Sequence, residues 1–353
     1  MPRRRTALIG LGAYLVATVL LFAFTGVLVA RESIFLWLLV GLLAVSLADV
    51  RGFARGVIFD WLPFYLILVA YDLLRGYVGA NPLFPPYFLP QIDADRLLFG
   101  GTVPTVWLQE RLYRVGELPW YDVASWAVYM THYFAVFAVA ACLWRVSRLR
   151  FLEFRAMVIT LSVAAFATYA LVPAAPPWMA NDHHLIGEVA RIPGSVWTEL
   201  GIAPAASIWD KGTSLYNPVA ALPSLHAAFP MLLLCFFWRG GAVVRGLAAA
   251  YVLAMAWTLV YGGEHYAFDV LLGWAYAIAV FLSVRWIRRR LGERRARARA
   301  AAGAGLADAP GSTAATRRAT AGSSGASGSS TAPGSTSRSG GRSVRCRSRA
   351  PGR

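Results

Sequence analysis

Residues Tyr266–Arg290 read YAFDVLLGWAYAIAVFLSVRWIRRR. The stretch 266–286 is apolar apart from Asp269, Ser283 and Arg285 and matches the roughly 20 residues a helix needs to cross a bilayer. It closes on a run of arginines, the residues that favour the cytoplasmic side of a membrane. Working outward, seven more apolar runs of similar kind occur, at about 7–30, 34–50, 57–74, 121–144, 156–173, 223–238 and 246–262. The fold class expected is therefore all-α, a polytopic membrane helix bundle of about eight transmembrane helices.

Composition agrees. Of 353 residues, 58% are apolar and 15% charged, against about 45–50% and about 25% in soluble globular proteins. Aromatics at 13% exclude disorder throughout. The net charge of +16 is spread as clusters between apolar runs, a membrane pattern rather than a nucleic-acid footprint. Cys142, Cys235 and Cys346 imply no disulfide framework. The run after Arg3–Arg5 is about twice the length of a signal peptide's apolar core and is expected to stay as the first span.

The basic residues orient the bundle. With the N-terminus in the cytoplasm, nineteen of the 34 fall on inner segments, seven on outer segments and eight in the distal tail. Both termini are then cytoplasmic. The chain divides by expectation into N-terminal membrane spans (1–56), a catalytic membrane domain (57–290) and a disordered basic cytoplasmic tail (291–353). The tail holds no aromatic after residue 291 and too little apolar surface to order itself, although its arginines suit anionic inner-leaflet lipids. Two long outer segments remain, about 75–120 and 174–222. In the first, Thr105–Gly116 predicts a helix with Trp107, Leu108, Leu112 and Val115 on one face, either interfacial or a packed connector.

Chemistry concentrates on that outer side. Asn217–Pro230 reads NPVAALPSLHAAFP and Tyr261–Gly273 reads YGGEHYAFDVLLG. Pro223 and Ser224 can open a helix, which puts His226 in its first turn. His265 and Asp269 are four apart, the spacing of one helical face. Both helices start outside, so their N-terminal amides and dipoles favour an anion there, by roughly 0.3–1 kcal/mol each. An imidazole held by a carboxylate is an oriented nucleophile, and a second imidazole can protonate a leaving oxygen. An ionised carboxylate inside a span is costly and usually functional. Transporters place broken helices and buried charges in related halves; here the polar residues gather at one face, which points to an enzyme rather than a transporter or a scaffold. No metal is required by the spacing, and no cofactor.

The PSLH string resembles the PSGH element of the type 2 phosphatidic acid phosphatase superfamily, and GEHYAFDVLLG resembles its last element. LVPAAPPW (Leu171–Trp178), NPVAALPSLHAA and FGGTVPTVWLQ (Phe99–Gln109) resemble the inositol phosphorylceramide synthase branch of that superfamily. The resemblance covers about 90–275. It implies His265 as a nucleophile that forms a phosphohistidine, Asp269 as its orienting partner and His226 as general acid, then base. It implies a lipid phosphotransferase that moves an inositol phosphate-like head group from a phospholipid donor to a lipid alcohol acceptor. A lipid phosphate phosphatase of the same superfamily is the alternative. Candidate substrate contacts are Lys211, Arg191, Ser224, Pro176, Pro177 and Trp178, with Lys211 more readily read as a solvated loop residue. The implied location is the cell membrane, with the active site on the extracytoplasmic face.

The departures are informative. Phosphatases of the superfamily carry a Lys and an Arg before the proline element, and an Arg six residues before the last histidine. Leu259 stands at the latter position, and Arg155, about 27 Å along a helix from Pro173, belongs to the other side of the membrane. His132 matches a histidine of the branch but lies about 16 Å down its span by count, a depth that also suits a core histidine. His183 and His184 form an isolated adjacent pair, expected at the surface.

Overall fold

The computed structural model of the protein describes residues 2–25, 31–201 and 217–307. Among these residues the elements are helical: α1 (Pro2–Thr25), α2 (Arg31–Ser46), α3 (Val50–Gly56), α4 (Leu62–Ala80), α5 (Leu89–Leu98), α6 (Pro104–Leu112), α7 (Trp120–Val146), α8 (Arg148–Leu171), α9 (Pro177–Asp182), α10 (Ile192–Glu199), α11 (Leu225–Phe237), α12 (Ala242–Tyr261) and α13 (Ala267–Ala307). A π turn at Val57–Trp61 joins α3 to α4. Two isolated bridges, Tyr87 with Ala174 and Ala174 with Ala220, draw loops together. One compact unit ends at Arg290. Residues 308–353 of the tail lie outside the described residues.

Five helical stretches are long and apolar enough to cross a membrane: Val50–Ala80, Trp120–Val146, Arg148–Leu171, Ala242–Tyr261 and Ala267–Ala300. The protein is a multi-pass membrane helix bundle. The other three expected spans coincide with shorter apolar helices, Leu8–Leu21, Phe35–Ser46 and Leu225–Phe237. The last, α11, has 13 residues, about 20 Å of helix against a hydrocarbon core of about 30 Å.

The bundle closes on aromatic packing. Trp61, Phe64, Phe151 and Phe154 are fully buried between α4 and α8, and Phe35 of α2 stacks on Tyr65 with ring centroids 4.1 Å apart. At one end, Ser147 caps α8 by accepting the Arg150 amide. Arg148 there grips the Asp60 carboxylate at 2.6 and 2.8 Å, while Arg155 donates to the Asp60 carbonyl at 2.8 Å. Arg155 is thus held far from the start of α13.

At the opposite end, α5, α6, α9 and α10 form a layer over the turn between α12 and α13. The Gln109 amide of α6 ties this layer together, donating to the carbonyls of Tyr261 (2.7 Å) and Ala190 (2.9 Å) and accepting from Ala190 N–H. That bonding decides which face of α6 is buried. Thr105 and Gln109 face inward, whereas Trp107 is 46% exposed and Val115, beyond the helix end, is 88% exposed. Of the apolar face expected from Trp107, Leu108, Leu112 and Val115, Leu108 and Leu112 pack partly buried against the core, while Trp107 and Val115 are exposed and the buried carbonyls recruit Gln109 beside them.

Candidate active site

The α12–α13 turn is built to hold His265. Gly263 adopts φ +75°, and a Cβ there would lie 2.5 Å from the Ala190 carbonyl, so only glycine fits. The amides of Glu264 and His265 both return to the Leu259 carbonyl at 3.1 Å. Helix α13 begins after His265, at Ala267. Asp269, in its first turn, accepts the Tyr266 amide at 3.0 Å through Oδ2, which also lies 3.5 Å from His265 Nδ1. This is the reciprocal half of a capping box. One carboxylate both starts the helix and faces the imidazole, so the pair meets across a helix start rather than along a helical face. Asp269 is fully buried and His265 is 6% exposed.

A second carboxylate completes the turn. Asp95 of α5 accepts the amides of Ala267 (3.2 Å) and Phe268 (2.8 Å). It is fully buried, and that burial pushes its carboxyl up to about 6, against the two amides that pull it down and with the help of nearby Asp269. The expectation that the first amides of α13 stand open to an anion is thereby corrected: Asp95 and Asp269 occupy them.

His226 approaches from α11. Ser224 caps this helix, its Oγ accepting the Ala227 amide at 3.3 Å, and its own amide donates to the Asp269 carbonyl at 3.2 Å. Tyr169 of α8 donates to the Pro223 carbonyl at 2.8 Å. These bonds lock the two helix starts together and bring the rings of His226 and His265 to a centroid separation of 5.6 Å. His226 Nε2 is buried and has no hydrogen-bond partner among the described residues. Tyr129 stacks on its ring at 4.8 Å.

His132 also belongs here, with its ring centroid 3.8 Å from that of His226. Counting depth from Tyr121 misplaces it, because α7 rises above the bundle. Tyr121 hydroxyl donates to the Leu112 carbonyl of the covering layer, and its ring meets Tyr261. The site therefore lies about three helical turns below the start of α7.

A cavity runs from His226 and His265 past Tyr71 and Arg75 toward Phe137 and Phe229. It joins a polar mouth to an apolar interior. Pro176 lines it, Pro177 is buried, and Trp178 donates its amide to the Gly263 carbonyl at 3.3 Å. The hydroxyl of Ser224 is engaged in capping. Arg191 bonds Glu264 at 2.8 and 3.4 Å and lies over the Trp178 ring; its charge is matched to a carboxylate that is 4% exposed. Lys211 lies outside the described residues. His183 and His184 are exposed, and no cluster of His, Cys, Asp or Glu suited to a metal occurs among the described residues. Asp95 and Glu264 are the site residues that the sequence reading does not single out; His132 stays open there between a branch histidine and a core one, and Arg75 is one of several outer cations. A carboxylate beside His265 and the aspartates of PQIDADRLL are the available signals.

The sequence profile of the PAP2 superfamily matches residues 101–283. Phosphoinositol dihydroceramide synthase of Bacteroides thetaiotaomicron is 27% identical over 244 residues, covering 63% of this chain and 74% of that protein. The catalytic subunit of inositol phosphorylceramide synthase of Schizosaccharomyces pombe is 32% identical over 124 residues, covering 33% of this chain and 28% of that protein. No solved structure matches. More than half of the chain thus carries the superfamily pattern, with the histidine and aspartate elements inside the matched region. The chain belongs to the PAP2 superfamily, in the branch marked by these synthases, and is an enzyme that acts on lipid phosphate esters.

Proposed function

We propose that the protein transfers a phosphorylated, inositol phosphate-like head group from a phospholipid donor to a lipid alcohol acceptor through a phosphohistidine on His265. The observation that carries this reading is the convergence of His265, Asp269 and His226 at the polar mouth of a cavity with an apolar interior. With Nδ1 facing Asp269, His265 has Nε2 available for attack on phosphorus. In the first half-reaction the N–P bond forms as the bond from phosphorus to the donor's lipid oxygen breaks. Protonated His226 gives its proton to that oxygen. In the second, His226 takes the proton of the acceptor hydroxyl, whose oxygen bonds phosphorus as the N–P bond breaks. The two similar synthases support a diester donor and a lipid alcohol acceptor.

In this reading eight segments span the cell membrane, both termini are cytoplasmic, and the site faces the extracytoplasmic leaflet. Residues 57–290 form the catalytic domain, preceded by spans in 1–56 and followed by the tail. Pro176, Trp178 and Arg191 shape the mouth through the α12–α13 turn, and Pro177 and Ser224 hold the helix starts. Lys211 stays a candidate substrate contact by its closeness in sequence to the PSLH element, and lies outside the described residues.

The test is product analysis with purified protein in vesicles containing head-group-labelled phosphatidylinositol and a ceramide-like alcohol or diacylglycerol. Label moving into a new lipid is expected. Release of inorganic phosphate from phosphatidic acid without lipid-to-lipid transfer would favour the phosphatase. A cysteine at Asn181 should react with an impermeant reagent from outside; reaction only from the cytoplasm would overturn the orientation.

A further inference from the structure

We propose that Arg75, on a helix outside the superfamily match, is the cation that binds the phosphate in this site. The inference rests on the phosphate-transfer reading above and adds a residue that the matched region, 101–283, does not contain. Four observations converge on it.

First, the usual cation positions are empty of charge or out of reach. Leu259 is fully buried in an apolar cluster with Met130, Trp197 and Met255. Arg155 is bonded to the Asp60 carbonyl at the other end of the bundle. Second, the backbone amides that open α13 are taken by Asp95 and Asp269, so they do not supply the positive field. Third, Arg191 is committed to Glu264 in a two-bond pair. Fourth, Arg75 lines the same cavity as His226 and His265 and is the cationic side chain among its described lining residues.

The placement of Arg75 is built rather than incidental. It sits in the second-last turn of α4, with its guanidinium 5.7 Å from the Tyr71 ring and 3.9 Å from the Asp72 carboxylate one turn earlier. Its side chain keeps 25% of its surface accessible. Helix α4 is fixed against the cavity wall one turn later, where Gly79 packs on Asn217 so closely that a Cβ would lie 2.9 Å from its Cα. Asn217 is itself 1% exposed and lines the cavity. A planar guanidinium at the mouth matches two non-bridging phosphate oxygens in a forked contact that an ammonium does not reproduce. Such a contact offsets the charge of a phosphodiester before and during attack by His265.

The probe is orthovanadate, a phosphate analogue, added to the purified full chain. Its binding is followed by the rise in thermal unfolding temperature, which requires no turnover. Arg75→Gln is expected to weaken vanadate binding at least tenfold and Arg75→Lys by less, with Arg111→Gln, an exposed cation over Trp107, unchanged. In the unaltered protein, vanadate is expected to protect Arg75 from phenylglyoxal, read by peptide mass spectrometry. This second arm holds even if Arg75→Gln does not fold. Binding by folded Arg75→Gln within twofold of the parent overturns the inference, as does unprotected Arg75 at saturating vanadate. So does loss of binding in Lys211→Gln while Arg75→Gln binds normally. A chain that binds vanadate through Arg75 yet transfers no head group would overturn the transfer reading and leave this one standing. Transfer indifferent to Arg75→Gln would do the reverse.

Discussion

The ring of His132 lies 3.8 Å from the ring of His226, centroid to centroid, closer than His226 lies to His265 at 5.6 Å. Two imidazoles in contact do not readily carry charge together, so the state of one constrains the proton carried by the other. On the proposed mechanism His132 acts through His226, as a positioning residue. His132→Phe is expected to lower kcat about tenfold, roughly 1.4 kcal/mol of barrier, with KM little changed. Steady-state kinetics on protein with a parental circular dichroism spectrum checks this. A purely packing role predicts full kcat for the isosteric, apolar-tolerant ring.

The nucleophile and its orienting carboxylate separate by a trapping experiment. His265→Ala should abolish both turnover and acid-labile phosphoenzyme, since it removes the imidazole that Asp269 faces. His226→Ala should slow formation of the phosphoenzyme and also its transfer to the acceptor, by about 10²–10⁴-fold as general acid–base groups do. Asp269→Asn keeps an acceptor for the Tyr266 amide, so the helix start should survive while activity falls. Near-normal activity of folded His265→Ala would remove the covalent mechanism.

Asp95 gives a pH dependence with a definite sign. Its carboxyl is raised from 3.8 to about 6 by burial, opposed by two amides and assisted by Asp269. The folded state therefore binds the proton more tightly than the unfolded chain. This contribution is fully present below about pH 4 and is lost as pH rises through about 6, by at most about 3 kcal/mol for a two-unit shift. Asp95→Asn, which cannot ionise, should flatten stability across that window. Denaturant midpoints at pH 4, 5, 6 and 7 in the two proteins test it. Parallel curves would mean that Asp95 ionises normally.

How much of this was legible beforehand follows from the range of each interaction. The long spans are encoded in apolar runs and the His265–Asp269 pair in local spacing, so the span at Tyr266–Arg290 and the proximity of His265, Asp269 and His226 are open to a reading of the sequence alone. Ser224 was equally readable, because a cap acts within three residues. Asp95 and Gln109 were not. They satisfy backbone groups of a turn roughly 150 residues or more downstream, and no periodicity records such a partner. His132 was misjudged in depth because α7 begins in the covering layer rather than at the level of the site. On α6 the apolar periodicity finds Leu108 and Leu112, which pack on the core, but does not register a glutamine whose burial is offset by three hydrogen bonds.

The charge of the cavity decides between substrate classes. Phosphatidic acid, a monoester, carries about −1.5 to −2 at pH 7 by analogy with phosphorylated side chains, whereas a diester such as phosphatidylinositol carries −1. Arg75 is the cation among the described lining residues, and the buried Glu264 carboxylate lines the same space, its charge offset by Arg191. The amides of α13, which could have supplemented Arg75, are occupied. One guanidinium, 3.9 Å from the Asp72 carboxylate, comes nearer to balancing a diester than a monoester, whose second charge it leaves uncompensated beside Glu264. The protein should therefore turn over phosphatidylinositol at least tenfold faster than phosphatidic acid at equal surface concentration, and a lipid alcohol should compete effectively with water as acceptor. Installing arginine at Leu259 should not convert it into a phosphatase, because that side chain faces the apolar cluster around Met255 and Trp197. Glu264→Gln combined with Arg191→Gln should change the preference little, since a matched pair is removed, whereas Glu264→Gln alone frees Arg191 and should raise the relative rate on phosphatidic acid. Parallel assays of the two lipids with the three variants decide the matter, and a parent enzyme faster on phosphatidic acid would show that the cavity holds more positive charge than Arg75 supplies.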